Sequence, residues 1–282
     1  MTIQLRTALV TDSTGDIPEE EANALKITVV PAVLTVDGKS YRDGMDFSRS
    51  SLYERMAFMS NLPTTAAPSP ASFQETYDRI LSRGLDRILS VHISAKLSGI
   101  LNVAAQAARQ FGDRVHVFDS GQLSLGLGFQ VLEAAAAALR GDPLDAVVEV
   151  ARQARRRAHV IAAIDTLEFL RRSGRVGWIR ASLGDLLQVK LVVDVADGVI
   201  RRLGQVRTRH KAVEMLLDHV RTWGTLSRAA VIHSAAPDRA EALAQRIAAA
   251  CGIHPITVDV TTAIGAHVGP GSVGAVGLSS GP

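Results

Sequence analysis

The sequence is poor in cysteine. Cys251 stands alone among 282 residues, which excludes an internal disulfide and a cysteine-based metal cage. Aromatic residues make up only 4% of the chain, too few for the stacking platforms that single-stranded nucleic acids use. No sign of charge dominates: 31 Lys and Arg against 28 Asp and Glu leave +3. So small an excess, with no concentrated basic stripe, argues against nucleic-acid binding and against a DNA-binding regulator. No apolar run reaches the ~20 residues of a membrane span. The opening MTIQLRTALVTDS lacks the basic start and cleavage site of a secretory leader. These absences together lead us to expect a cytoplasmic protein with no membrane span.

Catalytic signatures are missing as well. The Gly-rich segment near the end has no Gly-Lys-Ser/Thr after it and is not a P-loop. Gly126-Leu127-Gly128 lacks the third glycine of a dinucleotide fingerprint and does not directly follow a strand run. There is no Gly-x-Ser-x-Gly elbow and no Ser-x-x-Lys nucleophile. The eight histidines show no tight metal-ligand spacing. Neither a cofactor nor a metal is therefore expected.

What is present is apolar residue, 47% of the chain, in alternating blocks. The length suits one large or two modest domains. Short β-branched runs at Leu5–Thr11, Ile27–Val33, Arg87–Ile93, Val115–Phe118 and His159–Ile164 read as strands. Between them Phe73, Tyr77, Ile80 and Leu81 share one helical face, as do Leu101, Ala104, Ala105 and Ala108. Pro18, Ser69-Pro70 and Asp142-Pro143 mark helix starts. Strand–helix alternation predicts a parallel sheet wrapped by helices over 1–158. Over 159–282 the pattern predicts a mixed sheet with helices, including a hairpin about Ala196-Asp197-Gly198. The fold class is α/β, in two α/β domains.

Polar chemistry collects in five islands at predicted strand ends, where open parallel sheets place their ligand crevice. Asp12-Ser13-Thr14 reads first as a turn cap. Thr65, in an extended proline-stiffened loop before a helix capped by Ser69, is open to loop bonding or ligand contact. Ser98 and Gly99 open an Ala-rich helix, a start that can both cap and receive an anion. Arg175, after Ser173-Gly174, offers a planar fork to a carboxylate or phosphate, or is a surface arginine. His267, among the glycines of GAHVGPGSVG, is expected on a tight loop with an imidazole that can donate to an oxyanion. Hydroxyls, one Arg, one His and a helix start suit holding an anionic head group better than cutting a bond.

Taken together the islands resemble the DegV family of bacterial fatty-acid-binding proteins. The likeness rests on VTDSTGDIP, ISAKLSG, VFDSGQLSLGLG, LRRSGRVGWIRASLGDLLQVKLVVDVADG and GAHVGPGSVG in that order, and spans nearly the whole chain. The resemblance implies a two-domain α/β protein holding one long-chain fatty acid, its carboxylate at the domain junction. Some members present that carboxylate to a separate ATP-binding fatty acid kinase subunit, which makes acyl phosphate for phospholipid synthesis. It implies head-group contacts at Thr65, Ser98, Arg175 and His267, with a backbone amide from Gly99, and assistance in trans from Arg175 and His267. The family's Thr-Ser-Gln-Pro-Ser is Thr65-Ala66-Ala67-Pro68-Ser69 here, its Thr-His-Thr is Ala266-His267-Val268, and its Gly-Gly-Arg is Ser173-Gly174-Arg175. The tail tunnel is expected in the second domain, with Leu167, Phe169, Leu170, Leu183, Leu186 and Leu187 as wall candidates. An enzyme acting alone on a small phosphorylated or carboxylated metabolite is the other reading the residues allow.

Overall fold

The computed structural model describes residues 6–56, 58–59, 61–174 and 189–281. The chain opens with β1 (Thr7–Asp12), α1 (Glu19–Ala24), β2 (Thr28–Val30), β3 (Val33–Val36) and β4 (Lys39–Arg42). Helix α2 (Arg49–Met56), strand β5 (Thr64–Ala66), helix α3 (Pro70–Ser82) and strand β6 (Arg87–His92) follow. Then come α4 (Ile100–Ala108) and β7 (Val115–Asp119). Strands β2, β1, β6 and β7 lie side by side and all run parallel. The helix starts follow the sequence signals. Pro70 is the first residue of α3, and Ser69 Oγ accepts from Ser72 N at 3.1 Å.

The expected strand Ile27–Val33 is two strands. Pro31 has no N–H to give a ladder, so β2 ends before it and β3 starts after it. The two strands then part company. β3 forms a small antiparallel sheet in the order β4-β3-β5, which the sequence did not announce.

Two helices, α5 (Leu125–Leu139) and α6 (Leu144–Arg157), lead to β8 (Ala158–Ile164) and α7 (Glu168–Arg172). The hairpin β9 (Lys190–Ala196) and β10 (Val199–Val206) follows, then α8 (Arg209–Val220), β11 (Leu226–His233) and α9 (Pro237–Cys251). The chain ends with β12 (Ile256–Asp259), α10 (Thr262–Val268) and β13 (Val273–Ser279). The order β10-β9-β8-β13-β11-β12 makes a mixed sheet of six strands, with only the β11–β12 pair parallel.

Helix α5 packs against β1 and β6 of the parallel sheet and against β8, β11 and β13 of the mixed sheet. A helix sandwiched in this way must be apolar all round. Its Leu125, Leu127, Phe129, Val131 and Leu132 are all buried, and so are its alanines 134, 135 and 137. One continuous core therefore runs from Leu9, Val10 and Ile88, through α5, to Val160, Val276 and Leu278. Among the described residues no helix is long and apolar enough to cross a membrane.

Candidate functional site

Strand β5 and helix α10 bring two of the expected residues together. Thr65 Oγ1 lies 2.9 Å from His267 Nε2, and both side chains are half-buried. Thr65 is fixed by its register opposite Leu34 of β3. His267 does not sit on a loop as expected: it occupies the last turn of α10, which ends only at Gly269, with φ at +69°. Gly265 is tolerated inside that helix because the ring of Tyr53 fills the space where a side chain would stand.

Two buried carboxylates hold the start of α10. Asp43 accepts from the Thr262 hydroxyl, from Ala263 N at 3.2 Å and from Ser13 Oγ at 2.6 Å. Asp16 accepts from Thr261 N at 2.7 Å and from the Ser124 hydroxyl at 2.5 Å. Negative groups belong at this end of a helix. Burial pushes the Asp16 carboxyl up to about 7, against the pull of its donors Ser124 and Thr261. The helix that carries His267 is thus anchored to loops following β1 and β4. Sequence reasoning missed both carboxylates: Asp16 stands inside VTDSTGDIP but was given no role there, and Asp43 stands in no recognisable pattern.

Beside α10 opens an apolar pocket of about 680 Å³, counting the open solvent at its mouth. Its walls include Val160, Ala162 and Ile164 of β8, Val193 and Val195 of β9, and Ile264 and Val268 of α10. The period-2 alternation along β8 sends Val160, Ala162 and Ile164 to the pocket while Ile161 and Ala163 face the opposite core. His233, Ser234 and Ser272 are its polar lining. The Ser234 hydroxyl donates to Gly269 O at 2.6 Å and accepts from Ser272 N at 3.0 Å, so its hydrogen bonding is spent on backbone. Of the expected wall residues Leu170 lines the pocket. Leu167 is buried in the cluster just behind it. Phe169 turns away, into the cluster with Leu34, Tyr53 and Ala266. Leu183, Leu186 and Leu187 lie outside the described residues.

Ser98 Oγ accepts from Ile100 N at 3.3 Å, but Ser98 is not the cap expected: Gly99 holds that position in α4, and its hydrogen-bonding there comes from backbone alone. Gly99 borders open space: a Cβ there would meet nothing within 4 Å. Among the described residues no hydrogen bond joins Ser98 or Gly99 to the Thr65–His267 pair. Arg175 lies outside the described residues.

Asp12 is a cap, as the turn reading has it: it accepts from Thr14 N at 3.1 Å. It also accepts from Ile93 N at 3.1 Å and contacts His92 Nδ1 at 2.9 Å. His92 Nε2 in turn meets Ser90 Oγ at 2.7 Å, and Ser90 meets the Tyr77 hydroxyl at 2.8 Å. The order Asp–His–Ser matches a hydrolytic triad, but all three side chains are buried, and Ser90 and His92 are 0% exposed. Closed off by the described residues around it, the chain of bonds ties the ends of β1 and β6. Among the described residues no three His, Cys, Asp or Glu side chains gather as metal ligands.

The family model described as "Uncharacterised protein, DegV family" matches residues 6–279. A DegV domain-containing protein of Deinococcus radiodurans is 38% identical over 275 residues, 95% of this chain and 96% of that one. One of Streptomyces coelicolor is 39% identical over 274 residues, covering 95% of this chain and 97% of its own. The structure of a fatty-acid-binding DegV family protein from Thermus thermophilus superposes with a TM-score of 0.90 at 35% identity, over 98% of this chain and 100% of that chain. DegV of Bacillus subtilis, a fatty acid binding protein, gives 0.85 at 29% identity, over 98% of this chain and 100% of its own. The shared sheets, the shared chain length and the family model agree: this chain belongs to the DegV family.

Proposed function

We propose that this chain binds one long-chain fatty acid, tail in the pocket and carboxylate at the Thr65–His267 pair. The observation that carries the reading is that pair's position: His267 precedes Val268, a wall residue of the pocket, on the same short helix. With its proton on Nε2, the imidazole donates to Thr65 Oγ1, which leaves the Thr65 hydroxyl proton to donate to an acid group. Ser98, Gly99 and Arg175 complete the head-group site in this reading. Residues 1–158 form one domain and 159–282 the lipid-binding one, so the carboxylate sits at their junction. Every described wall residue except Leu123 falls after 158.

The tail supplies most of the affinity. At ~0.8 kcal/mol per buried CH₂, about 14 methylenes yield roughly 11 kcal/mol. Association and ordering remove several kcal/mol of that. The head-group donors fix orientation.

The bound acid then serves a separate ATP-binding kinase subunit. A carboxylate oxygen attacks the terminal phosphorus of ATP, the bond to ADP breaks, and acyl phosphate leaves for phospholipid synthesis. Arg175 and His267 oppose the charge that grows on the transferring group. This chain performs no turnover alone.

The test begins with lipid extraction from untreated recombinant protein and mass spectrometry. A stoichiometric long-chain acid is expected; no acid, and no uptake on titration, overturns the binding reading. Stabilisation by small phosphorylated metabolites but not by palmitate would favour a stand-alone enzyme instead. Phosphate transfer from ATP to the bound acid, dependent on an added kinase subunit, tests the second step.

A further inference from the structure

Asp165, just past β8, collects three cations. Arg209 grips it through Nε to Oδ1 at 2.8 Å and Nη2 to Oδ2 at 2.9 Å. Lys190 Nζ lies 3.3 Å from Oδ1 and Arg239 Nη1 lies 3.4 Å from it. Burial by itself would raise this carboxyl, but the Arg209 hydrogen bonds and the Lys190 charge hold it down at about 2. Three positive charges against one permanent negative charge leave two in excess. Among the described residues none of the three cations pairs with a second carboxylate.

The cations border a shallow surface recess, about 270 Å³ with the open solvent above it counted, whose lining includes Ala163, Ala212 and Val213. Gly271 keeps it open. A Cβ there would stand 2.8 Å from Arg239 Nη2 and 3.3 Å from Asp165 Oδ2. Arg209 begins α8 and Arg239 lies in the first turn of α9, so two positive helix ends add to the field. The recess is separate from the Thr65–His267 pair, although Ile164 and Val273 contribute to the walls of both cavities.

Uncompensated cations over an apolar floor recruit a counter-ion. Planar guanidinium forks select oxyanions, and a single negative charge would leave half the excess unmatched. We propose that the Lys190–Arg209–Arg239 recess is an anion site for a doubly charged tetrahedral oxyanion, either inorganic phosphate or the phosphate of a monoester, bound beside Asp165. The outer face of Arg209, 61% exposed at its side chain, remains free to receive it.

The test is calorimetric titration of the whole chain with inorganic phosphate, and separately with glycerol phosphate, at an ionic strength held constant with chloride. Saturable binding of at least one is expected, and which arm is tighter tells free phosphate from a monoester. Arg239→Met and Arg209→Met should each weaken it at least five-fold, while fatty acid content in Arg239→Met stays at the wild-type level. Nuclear magnetic resonance on the wild-type protein gives a second readout that needs no variant: the shifts that move should belong to Lys190, Arg209, Arg239 and the backbone of Asp165. No saturable binding beyond the chloride control, binding unaltered in both variants, or shifts that move elsewhere would each overturn the proposal.

Discussion

A hydroxyl and an imidazole 202 positions apart, Thr65 and His267, meet at 2.9 Å. With His267 donating to the Thr65 hydroxyl and that hydroxyl donating to the carboxylate, removing either should cost up to the worth of a hydrogen bond to a charged group, about 1.5–3 kcal/mol or roughly 10–100-fold in affinity. Thr65→Val and His267→Ala titrated with a fluorescent fatty acid should show losses of that size. The double variant should lose less than the sum, because the two act through one chain of hydrogen bonds; full additivity would separate them. Both residues were legible in the sequence as members of polar islands, since each stands in a short pattern of its own. The roles of Asp16, inside VTDSTGDIP, and of Asp43, in no pattern at all, were not legible. A buried acid that meets its donors only through the fold leaves no local spacing to read. Asp16 also carries a pH signature. Its carboxyl is raised from 3.8 to about 7, so between those values the folded chain binds a proton that the unfolded chain lacks. Stability from this group is full below about pH 4 and falls as pH rises towards 7. Asp16→Asn mimics the protonated form. Urea unfolding should show the variant gaining on wild type from pH 5 to pH 8, by on the order of a few kcal/mol; a pH-independent difference would place the Asp16 titration elsewhere.

At the scale of elements, α10 decides where the imidazole stands. Seven residues make too short a helix to persist alone, so its start must be held by Asp16 and Asp43. Asp43→Ala strips the acceptor from Thr262, Ala263 and Ser13 at once. A loss of roughly 2–4 kcal/mol follows, since buried donors are left unpaired. Denaturant midpoints check this, and fatty acid affinity should fall as well because His267 loses its support. The sequence misled here: glycines around His267 suggested a loop, yet Gly265 marks close packing on Tyr53, and only Gly269 and Gly271 take positive φ. The hairpin at Asp197-Gly198 was readable because turn chemistry is local: φ of +49° and +71° are what that pair favours. Pro31 held the opposite lesson. The β-branched run across it looked continuous, while the missing N–H split it between two sheets.

At the scale of the whole molecule the two sheets are less independent than an alternation of strands and helices suggests. The pattern read from the sequence gives a parallel sheet and a mixed sheet, and both are present; it contains nothing to say that α5 belongs to both. The clue was Gly126-Leu127-Gly128, which fails as a nucleotide fingerprint for want of a third glycine. Its purpose is contact. A side chain at Gly126 would strike Val160 of the mixed sheet, and one at Gly128 would strike the carbonyl of Gly15 beyond β1. The glycines let one helix approach both halves of the chain closely, so neither half buries its core without the other. Thermal unfolding should therefore be a single transition, with calorimetric and van't Hoff enthalpies that agree. Gly126→Val inserts a branched side chain into a filled space and should cost about 1–3 kcal/mol or more. That loss should lower the one midpoint without splitting it, because the strained contact lies between the two halves. Two resolved transitions in wild type, or a variant in which only one half melts early, would show that α5 serves one sheet and merely touches the other.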